Sequence, residues 1–100
     1  MNSNLDQLLK DKGPVLVEIY ADWCPHCHRM MPVVADIARL MEGKANVYQF
    51  EIDRFRDFAD ELDVTSVPTF IIFDNGEEKW RQCSEMDGNL LLARLKEVAG

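Results

Sequence analysis

The chain has 100 residues, a length typical of one small domain. Hydrophobic residues make up 47% of it and charged residues 29%, proportions that are ordinary for a folded protein and exclude a disordered tail. The 18 acidic and 11 basic side chains leave a net charge of −7, so we expect neither nucleic acid nor an anionic membrane surface as a partner.

The N-terminal segment MNSNLDQLLKDK has the pattern of a short helix. Ser3 or Asn4 can cap this helix, leucines recur at helical spacing, and Gly13-Pro14 would end it. The segment lacks the basic start and apolar run of a secretory signal, and no window is apolar for the roughly 18 residues of a membrane span. We therefore expect a cytoplasmic protein that does not contact a membrane.

A strand and a long helix follow. Residues 15–20 (VLVEIY) are apolar on both faces, which predicts a central strand that is covered on each side. Pro25 suits the first turn of a helix, because its missing N–H would be unpaired there in any case. An apolar stripe continues this helix to near Gly43, and Pro32 inside it predicts a kink.

The rest of the chain supplies three strands and two helices. Asn75-Gly76 predicts a two-residue hairpin turn, since both positions of such a turn favour positive φ, and the strand after the turn must therefore return antiparallel. The apolar patterns place strands at 47–52, 69–73 and 78–83, and helices that begin at Asp53 and Asp87.

The resulting order, αβαβαββα, predicts a single α/β domain over residues 1–100 without a linker or an internal repeat. Strands joined through a helix must be parallel, with a right-handed crossover, and the hairpin adds an antiparallel edge. We therefore expect a four-stranded mixed sheet with helices on both faces.

Two of the three cysteines lie close together in the segment Trp23-Cys24-Pro25-His26-Cys27, where the first strand gives way to the helix. Two cysteines in a first helical turn can close a disulfide without backbone movement, and the unpaired N–H groups there favour a thiolate. Cys24 is expected to be the more exposed, nucleophilic sulfur, and Cys27 the resolving thiol. A protonated His26 would stabilise the thiolate further and make the disulfide a stronger oxidant.

A resemblance to the thioredoxin family is carried by ADWCPHC at 21–27, by Pro32 and by SVPTF at 66–70, in order and spacing over nearly the whole chain. It implies a thioredoxin-like fold without the usual first strand, which leaves residues 47–52 at a sheet edge. It also implies thiol–disulfide oxidoreductase activity and a cis Pro68, beside which the Val67 backbone can pair with an extended substrate. The implied substrate groove consists of Trp23, Val67, Pro68 and the segment Cys83-Ser84-Glu85.

Two departures from the family pattern bear on the chemistry. Thioredoxins usually carry Gly-Pro between the cysteines, whereas Pro25-His26 is similar to the periplasmic oxidant branch of the superfamily. The family's buried aspartate is Glu18 here, and its frequent lysine partner is Gln49. Burial without a compensating cation should raise the pKa of Glu18 and keep it protonated near neutrality, so that it relays the proton of Cys27.

The resemblance also implies partners. A thioredoxin reductase that uses NADPH would reduce the chain, which would bind no cofactor or metal itself, and the substrates would be proteins that contain disulfides. We expect a monomer. The direction of electron flow stays open, because a cytoplasmic location favours a disulfide reductase whereas Pro25-His26 favours a more oxidising oxidase or isomerase.

Other interpretations of the cysteines are weaker. The segment CPHCH at 24–28 matches the attachment pattern of c-type haem, and Cys24, Cys27, His28 and Cys83 are candidate zinc ligands. Redox chemistry explains the helix-start position better. His28 is expected to be a solvated side chain. Cys83 is either a small, partly buried hydrophobic residue or a third thiol near the groove, open to glutathionylation or dimerisation.

Overall fold

A computed structural model describes residues 13–100, in which helices cover both faces of a four-stranded sheet. The first predicted helix and the expected absence of a first strand concern residues 1–12 and lie outside the described residues. From residue 13 onward the order βαβαββα and the mixed sheet are as predicted. The elements are β1 (Pro14–Tyr20), α1 (Pro25–Leu40), β2 (Asn46–Glu51), α2 (Arg56–Glu61), β3 (Thr69–Asp74), β4 (Glu77–Gln82) and α3 (Gly88–Ala99).

The strands lie side by side in the order β2-β1-β3-β4. β1 is parallel to β2 and antiparallel to β3, while β3 and β4 form an antiparallel hairpin. The interior position of β1 explains its sequence, because a strand with neighbours on both sides and helices on both faces has no side exposed to water. Residues 15–19 are all buried accordingly.

Alternate residues of β1 belong to two separate hydrophobic clusters, one on each face of the sheet. Val17 packs in a cluster with Phe58 of α2. Leu16 packs on the opposite face with Val34 of α1 and Leu91 of α3. The helices therefore cover both faces as predicted, with α1 and α3 together on one side and α2 on the other.

The longest described helix is α1, with 16 residues, and Pro32 lies inside it without ending it. It ends at Leu40, before the predicted end near Gly43, and Met41 closes it by donating its N–H to the Ile37 carbonyl at 2.9 Å. Among residues 13–100, no helix has both the length and the apolar character that a membrane crossing requires.

The prediction that Asp53 caps the next helix is wrong. α2 begins later, after Phe55, which has no capping side chain. The reason is the buried Glu51, whose Oε1 accepts the N–H groups of Asp53 and Arg54 at 2.7 and 3.1 Å and so fixes the turn from upstream. The carboxylate of Asp53 binds Arg56 instead.

The hairpin between β3 and β4 turns at the predicted position. Asn75 and Gly76 both have positive φ, at 52° and 81°, as a two-residue turn of this kind requires. β4 ends at Gln82, one residue before the predicted end, so that Cys83 falls in the loop to α3. Asp87 caps α3 as predicted, since its side chain accepts the N–H of Asn89 at 3.0 Å.

Candidate active site

Cys24 and Cys27 occupy the first turn of α1, where Cys24 is the N-cap residue. The Cys27 N–H donates to Cys24 Sγ at 3.4 Å, and both residues are free thiols in this structure. Cys24 keeps 4% of its surface exposed and Cys27 none. The order of exposure is the predicted one, although both cysteines are buried and only the edge of Cys24 meets solvent.

The thiol of Cys27 is strongly disfavoured as a thiolate. Burial, the hydrogen bond to Cys24 and smaller contributions from the charges of Cys24 and Glu18 together raise the pKa of Cys27 to about 12. Cys27 is therefore protonated at neutral pH. Its conversion to a nucleophile requires a base close by.

Glu18 supplies a titratable group whose charge acts on the Cys27 thiol. It is fully buried in the centre of β1, and Gln49 Nε2 donates to its Oε1 at 2.9 Å. Its Oε2 has no hydrogen-bond partner among residues 13–100. Burial raises the pKa of Glu18 to about 7, and the Gln49 hydrogen bond offsets only part of this effect. The predicted burial, partner and pKa direction are all present, and the carboxyl group can exchange a proton near neutrality.

The segment before β3 brings a backbone carbonyl to the cysteines. The Val67–Pro68 peptide bond is cis, and the Val67 oxygen lies 3.9 Å from Cys24 Sγ. Thr69 Oγ1 donates to the Ser66 carbonyl at 2.8 Å and holds the turn. The backbone beside Pro68 therefore faces the sulfur that the sequence assigns as nucleophile.

Two depressions flank Val67. The first, which we call the loop groove, has a volume of about 510 Å³ and contains five of the six residues of the predicted substrate groove. The second, the tryptophan groove, has a volume of about 440 Å³ and contains Trp23, Cys24 and Val67. The predicted substrate residues thus divide between two neighbouring surfaces that share Val67. The loop groove is lined by His26, Val67, Pro68, Cys83, Ser84 and Glu85.

Trp23 stands at the rim of the tryptophan groove with 70% of its surface exposed. Its Nε1 donates to Asp53 Oδ2 at 3.2 Å. The buried Glu51 stabilises the turn that carries Trp23, because its Oε2 accepts the N–H of Asp22 at 3.1 Å. Glu51 lies within the strand predicted at 47–52, and no local pattern in the sequence indicates that its carboxylate binds two different loops.

The structure decides between the interpretations of Cys83 and His28. Cys83 is exposed in the loop after β4, so its interpretation as a partly buried residue is wrong. His28 is exposed as predicted, and its Nε2 contacts the Asp22 carbonyl oxygen. Within residues 13–100, no group of three or more His, Cys, Asp or Glu side chains is arranged to hold a metal, so the candidate zinc ligands are not brought together.

His26 has partners that the sequence did not indicate. Its Nδ1 lies 2.7 Å from Glu85 Oε1 and 2.7 Å from Arg29 Nη2. Arg29, three positions later on the same helix, is a neighbour that helical spacing can reveal. Glu85 lies 59 positions away in the loop before α3, and no local pattern connects it with His26.

Comparison with known proteins agrees with this arrangement. The family model described as Thioredoxin matches residues 1–98. The chain is 32% identical to the chloroplastic thioredoxin Y of Oryza sativa subsp. japonica over 97 residues, which cover 96% of this chain but 58% of the rice protein. It is 33% identical to the thioredoxin of Rickettsia felis over 86 residues, which cover 86% of this chain and 82% of that one.

A solved structure supports the same assignment. A point mutant of the thioredoxin from Halobacterium salinarum NRC-1 superimposes with a TM-score of 0.90 at 28% sequence identity. The match covers 100% of this chain and 87% of the archaeal one. Family model, curated relatives and fold all coincide with a cysteine pair in the first turn of α1. The chain belongs to the thioredoxin family, a family of thiol–disulfide oxidoreductases.

Proposed function

We propose that the chain is a protein disulfide reductase of the thioredoxin type, which passes electrons from a thioredoxin reductase to protein disulfides. The observation that carries this proposal is the cysteine pair in the first turn of α1, with Cys24 slightly exposed at the N-cap and Cys27 fully buried. This arrangement separates an attacking sulfur from a resolving sulfur, as a two-step exchange requires.

In the first step, the Cys24 thiolate attacks one sulfur of a substrate disulfide. The substrate S–S bond breaks, a mixed disulfide with Cys24 forms, and the second substrate sulfur leaves as a thiolate that takes a proton from water. The N-terminus of α1 and the Cys27 N–H at 3.4 Å stabilise the Cys24 thiolate before the attack.

In the second step, Cys27 resolves the mixed disulfide. The carboxylate of Glu18 accepts the Cys27 proton, and the Cys27 thiolate attacks Cys24 Sγ. The Cys24–Cys27 disulfide forms, and the substrate sulfur leaves as a thiolate that takes a proton from water. Glu18 suits this role because its pKa of about 7 leaves both protonation states accessible at neutral pH. Its charge also acts on the Cys27 thiol.

The substrate lies across Val67 in this proposal. An extended substrate segment pairs with the Val67 backbone and places its disulfide against Cys24 Sγ, 3.9 Å from the Val67 carbonyl. Its flanking residues lie in the two grooves, against Trp23 on one side and against Pro68, Cys83 and Ser84 on the other. Shape and apolar contact then select substrates more than net charge does.

The remaining expectations belong to the same proposal. The electrons come from NADPH through the thioredoxin reductase, the chain binds no cofactor or metal, and it acts as a monomer in the cytoplasm. The family assignment supports the reductase as electron donor. The chain spans 58% of the length of the rice relative.

A disulfide oxidase or isomerase is the alternative that a specific observation favours. Pro25-His26 differs from the Gly-Pro that thioredoxins usually carry, and a histidine at this position favours the thiolate form and a stronger oxidant. The equilibrium constant with glutathione separates the two functions, because an oxidase holds its disulfide at a less negative reduction potential than a reductase does.

The proposed function is tested with insulin as the disulfide substrate. In the presence of a thioredoxin reductase and NADPH, the protein should reduce insulin with matching NADPH oxidation, and Cys24→Ser should abolish both. Insulin reduction that persists in Cys24→Ser would refute Cys24 as nucleophile. Near-stoichiometric zinc that is lost on thiol alkylation, or covalent haem, would refute the redox function as a whole.

A further inference from the structure

Glu85, Arg29 and His26 form a cluster of polar side chains, which we call the Glu85 cluster. It joins the start of α1 to the loop before α3. The carboxylate of Glu85 accepts bonds from Arg29 Nε at 3.2 and 3.0 Å and from Arg29 Nη2 at 2.8 Å. Glu85 Oε1 also lies 2.7 Å from His26 Nδ1. His26 and Glu85 both line the loop groove, so the cluster forms part of the proposed substrate surface.

Within this cluster, His26 Nδ1 contacts both the carboxylate of Glu85 and the guanidinium of Arg29. It can donate to Glu85 only when it carries a proton, and it can accept from Arg29 Nη2 only when it does not. In the first arrangement Glu85 accepts from both the Arg29 guanidinium and the Nδ1–H of the His26 ring. In the second it accepts from the guanidinium, which also donates to the ring. In both arrangements Glu85 is an acceptor for the Arg29 guanidinium.

The cluster adjoins Cys24, because His26 and Cys24 both line the tryptophan groove. The hydrogen bonds and charge of Glu85 raise the pKa of Arg29, and the charge of Cys24 adds a smaller contribution in the same direction. The guanidinium is therefore within electrostatic reach of the Cys24 thiolate but interacts mainly with Glu85. The pKa of Glu85 falls to about 2, with Arg29 as the largest cause and His26 as the next, so Glu85 is an anion at neutral pH.

We propose that Glu85 is a positioning residue that binds the His26 ring and the Arg29 guanidinium and so limits how strongly they stabilise the Cys24 thiolate. This inference rests on the proposed disulfide exchange and sets its direction. A less stabilised thiolate means a less stabilised reduced form, so the Cys24–Cys27 disulfide is a weaker oxidant than Pro25-His26 alone would make it.

The consequence for function is specific to this sequence. A protonated histidine between the cysteines would stabilise the thiolate of the active sulfur, whereas here a carboxylate on a distant loop binds the ring at Nδ1. The couple can then stay in the reducing range in spite of its Pro-His dipeptide. In this way Glu85 allows a chain with Pro25-His26, a dipeptide that favours an oxidant, to act as a reductase.

The test is the equilibrium with glutathione at pH 7, in which two glutathione molecules become one glutathione disulfide as the Cys24–Cys27 disulfide becomes two thiols. For Glu85→Gln we expect the equilibrium constant to shift about tenfold towards the dithiol, a change of about 30 mV to less negative potential. Arg29→Met should shift it in the opposite direction. Glu78→Gln, which breaks a comparable Arg81–Glu78 pair on β4, should leave it unchanged.

Two further measurements distinguish charge from structural loosening. The Glu85→Gln shift should shrink at 1 M salt, where exposed charges are screened, and it should vanish in a His26→Ala, Arg29→Met background. Glu85→Asp keeps the negative charge, so the reduction potential of this variant should stay close to the wild-type value. A Glu85→Gln shift that is absent, reversed, or equally large in the double-variant background would overturn the inference.

The glutathione equilibrium involves no protein substrate and no reductase. If the wild-type protein fails to reduce insulin while Glu85→Gln still shifts the equilibrium, the proposed function fails and the role of Glu85 stands. If insulin is reduced and the shift is absent, the proposed function stands and the role of Glu85 fails.

Discussion

A single carboxyl group, that of Glu18, links the hydrophobic core to the chemistry of the cysteines. It lies fully buried in the interior strand β1, with Gln49 as the hydrogen-bond partner of one oxygen and no partner for the other among residues 13–100. An amide satisfies part of the carboxylate without adding a positive charge, so the pKa of Glu18 stays near 7. Because this partner is a neutral amide and not a cation, the buried carboxyl group can exchange a proton near neutral pH.

We predict that Glu18→Gln slows the resolution of mixed disulfides by at least about tenfold at neutral pH, since general-base catalysis contributes factors of this size or more. The rate of the wild-type second step should rise as pH passes through about 7, where Glu18 ionises, and the variant should lose this rise. Stopped-flow Trp fluorescence with a small disulfide measures both. An unchanged rate and pH profile would make Glu18 purely structural.

The stability of the fold provides a separate measurement on the same residue. The pKa of Glu18 is raised from 4.5 to about 7 on folding, so the folded state binds more protons than the unfolded chain between these values. The free energy of unfolding should therefore fall as pH rises through this window, by about 3 kcal/mol from this group. Urea unfolding at pH 5 and pH 8 should show the loss in wild type and in Glu61→Gln, an exposed control, but not in Glu18→Gln.

The elements around the site are held by a few close contacts between helices and loops. α1 presents the cysteines at its first turn, and α3 begins just after the loop that carries Cys83, Ser84 and Glu85. Gly88, the first residue of α3, packs directly on α1, since a methyl group there would lie 2.5 Å from Val33 Cγ1. The position of the groove therefore depends on how closely these two helices approach each other.

Gly88→Ala should destabilise the protein by about 1–3 kcal/mol, because a β-branched valine cannot rotate away from the added methyl group without strain. Combining it with Val33→Ala should recover part of this loss, in a double-mutant cycle measured by chemical denaturation. Fully additive effects of the two substitutions would show that the helices do not touch at this point.

Across the whole molecule, features that depend on local patterns could be predicted and long-range contacts could not. The apolar sequence of β1 required burial on both faces, and Asn75-Gly76 required a tight hairpin turn. The side chain of Glu51, in contrast, binds turns on two different segments. That contact depends on how β2 meets the end of β1, which periodicity along one strand does not reveal.

The candidate active site shows the same difference between local features, which the sequence predicts, and long-range contacts, which it does not. The spacing of Cys24 and Cys27 predicted their place in the first turn of a helix, because both the motif and the helix start are local. His26 was expected to act on the sulfurs alone, yet Glu85 and Arg29 are its hydrogen-bonding neighbours. Since 59 positions separate His26 from Glu85, only the folded arrangement of α1 and the loop before α3 brings them together.

The central claim is that Cys24 attacks and Cys27 resolves, and trapping of the mixed disulfide tests it most directly. Cys27→Ser should accumulate a covalent adduct with a disulfide substrate such as insulin, located at Cys24 by peptide mass spectrometry and released by dithiothreitol. Cys24→Ser should trap none at Cys27, which is fully buried. Adduct formation at Cys27 or Cys83 instead of Cys24 would contradict the account.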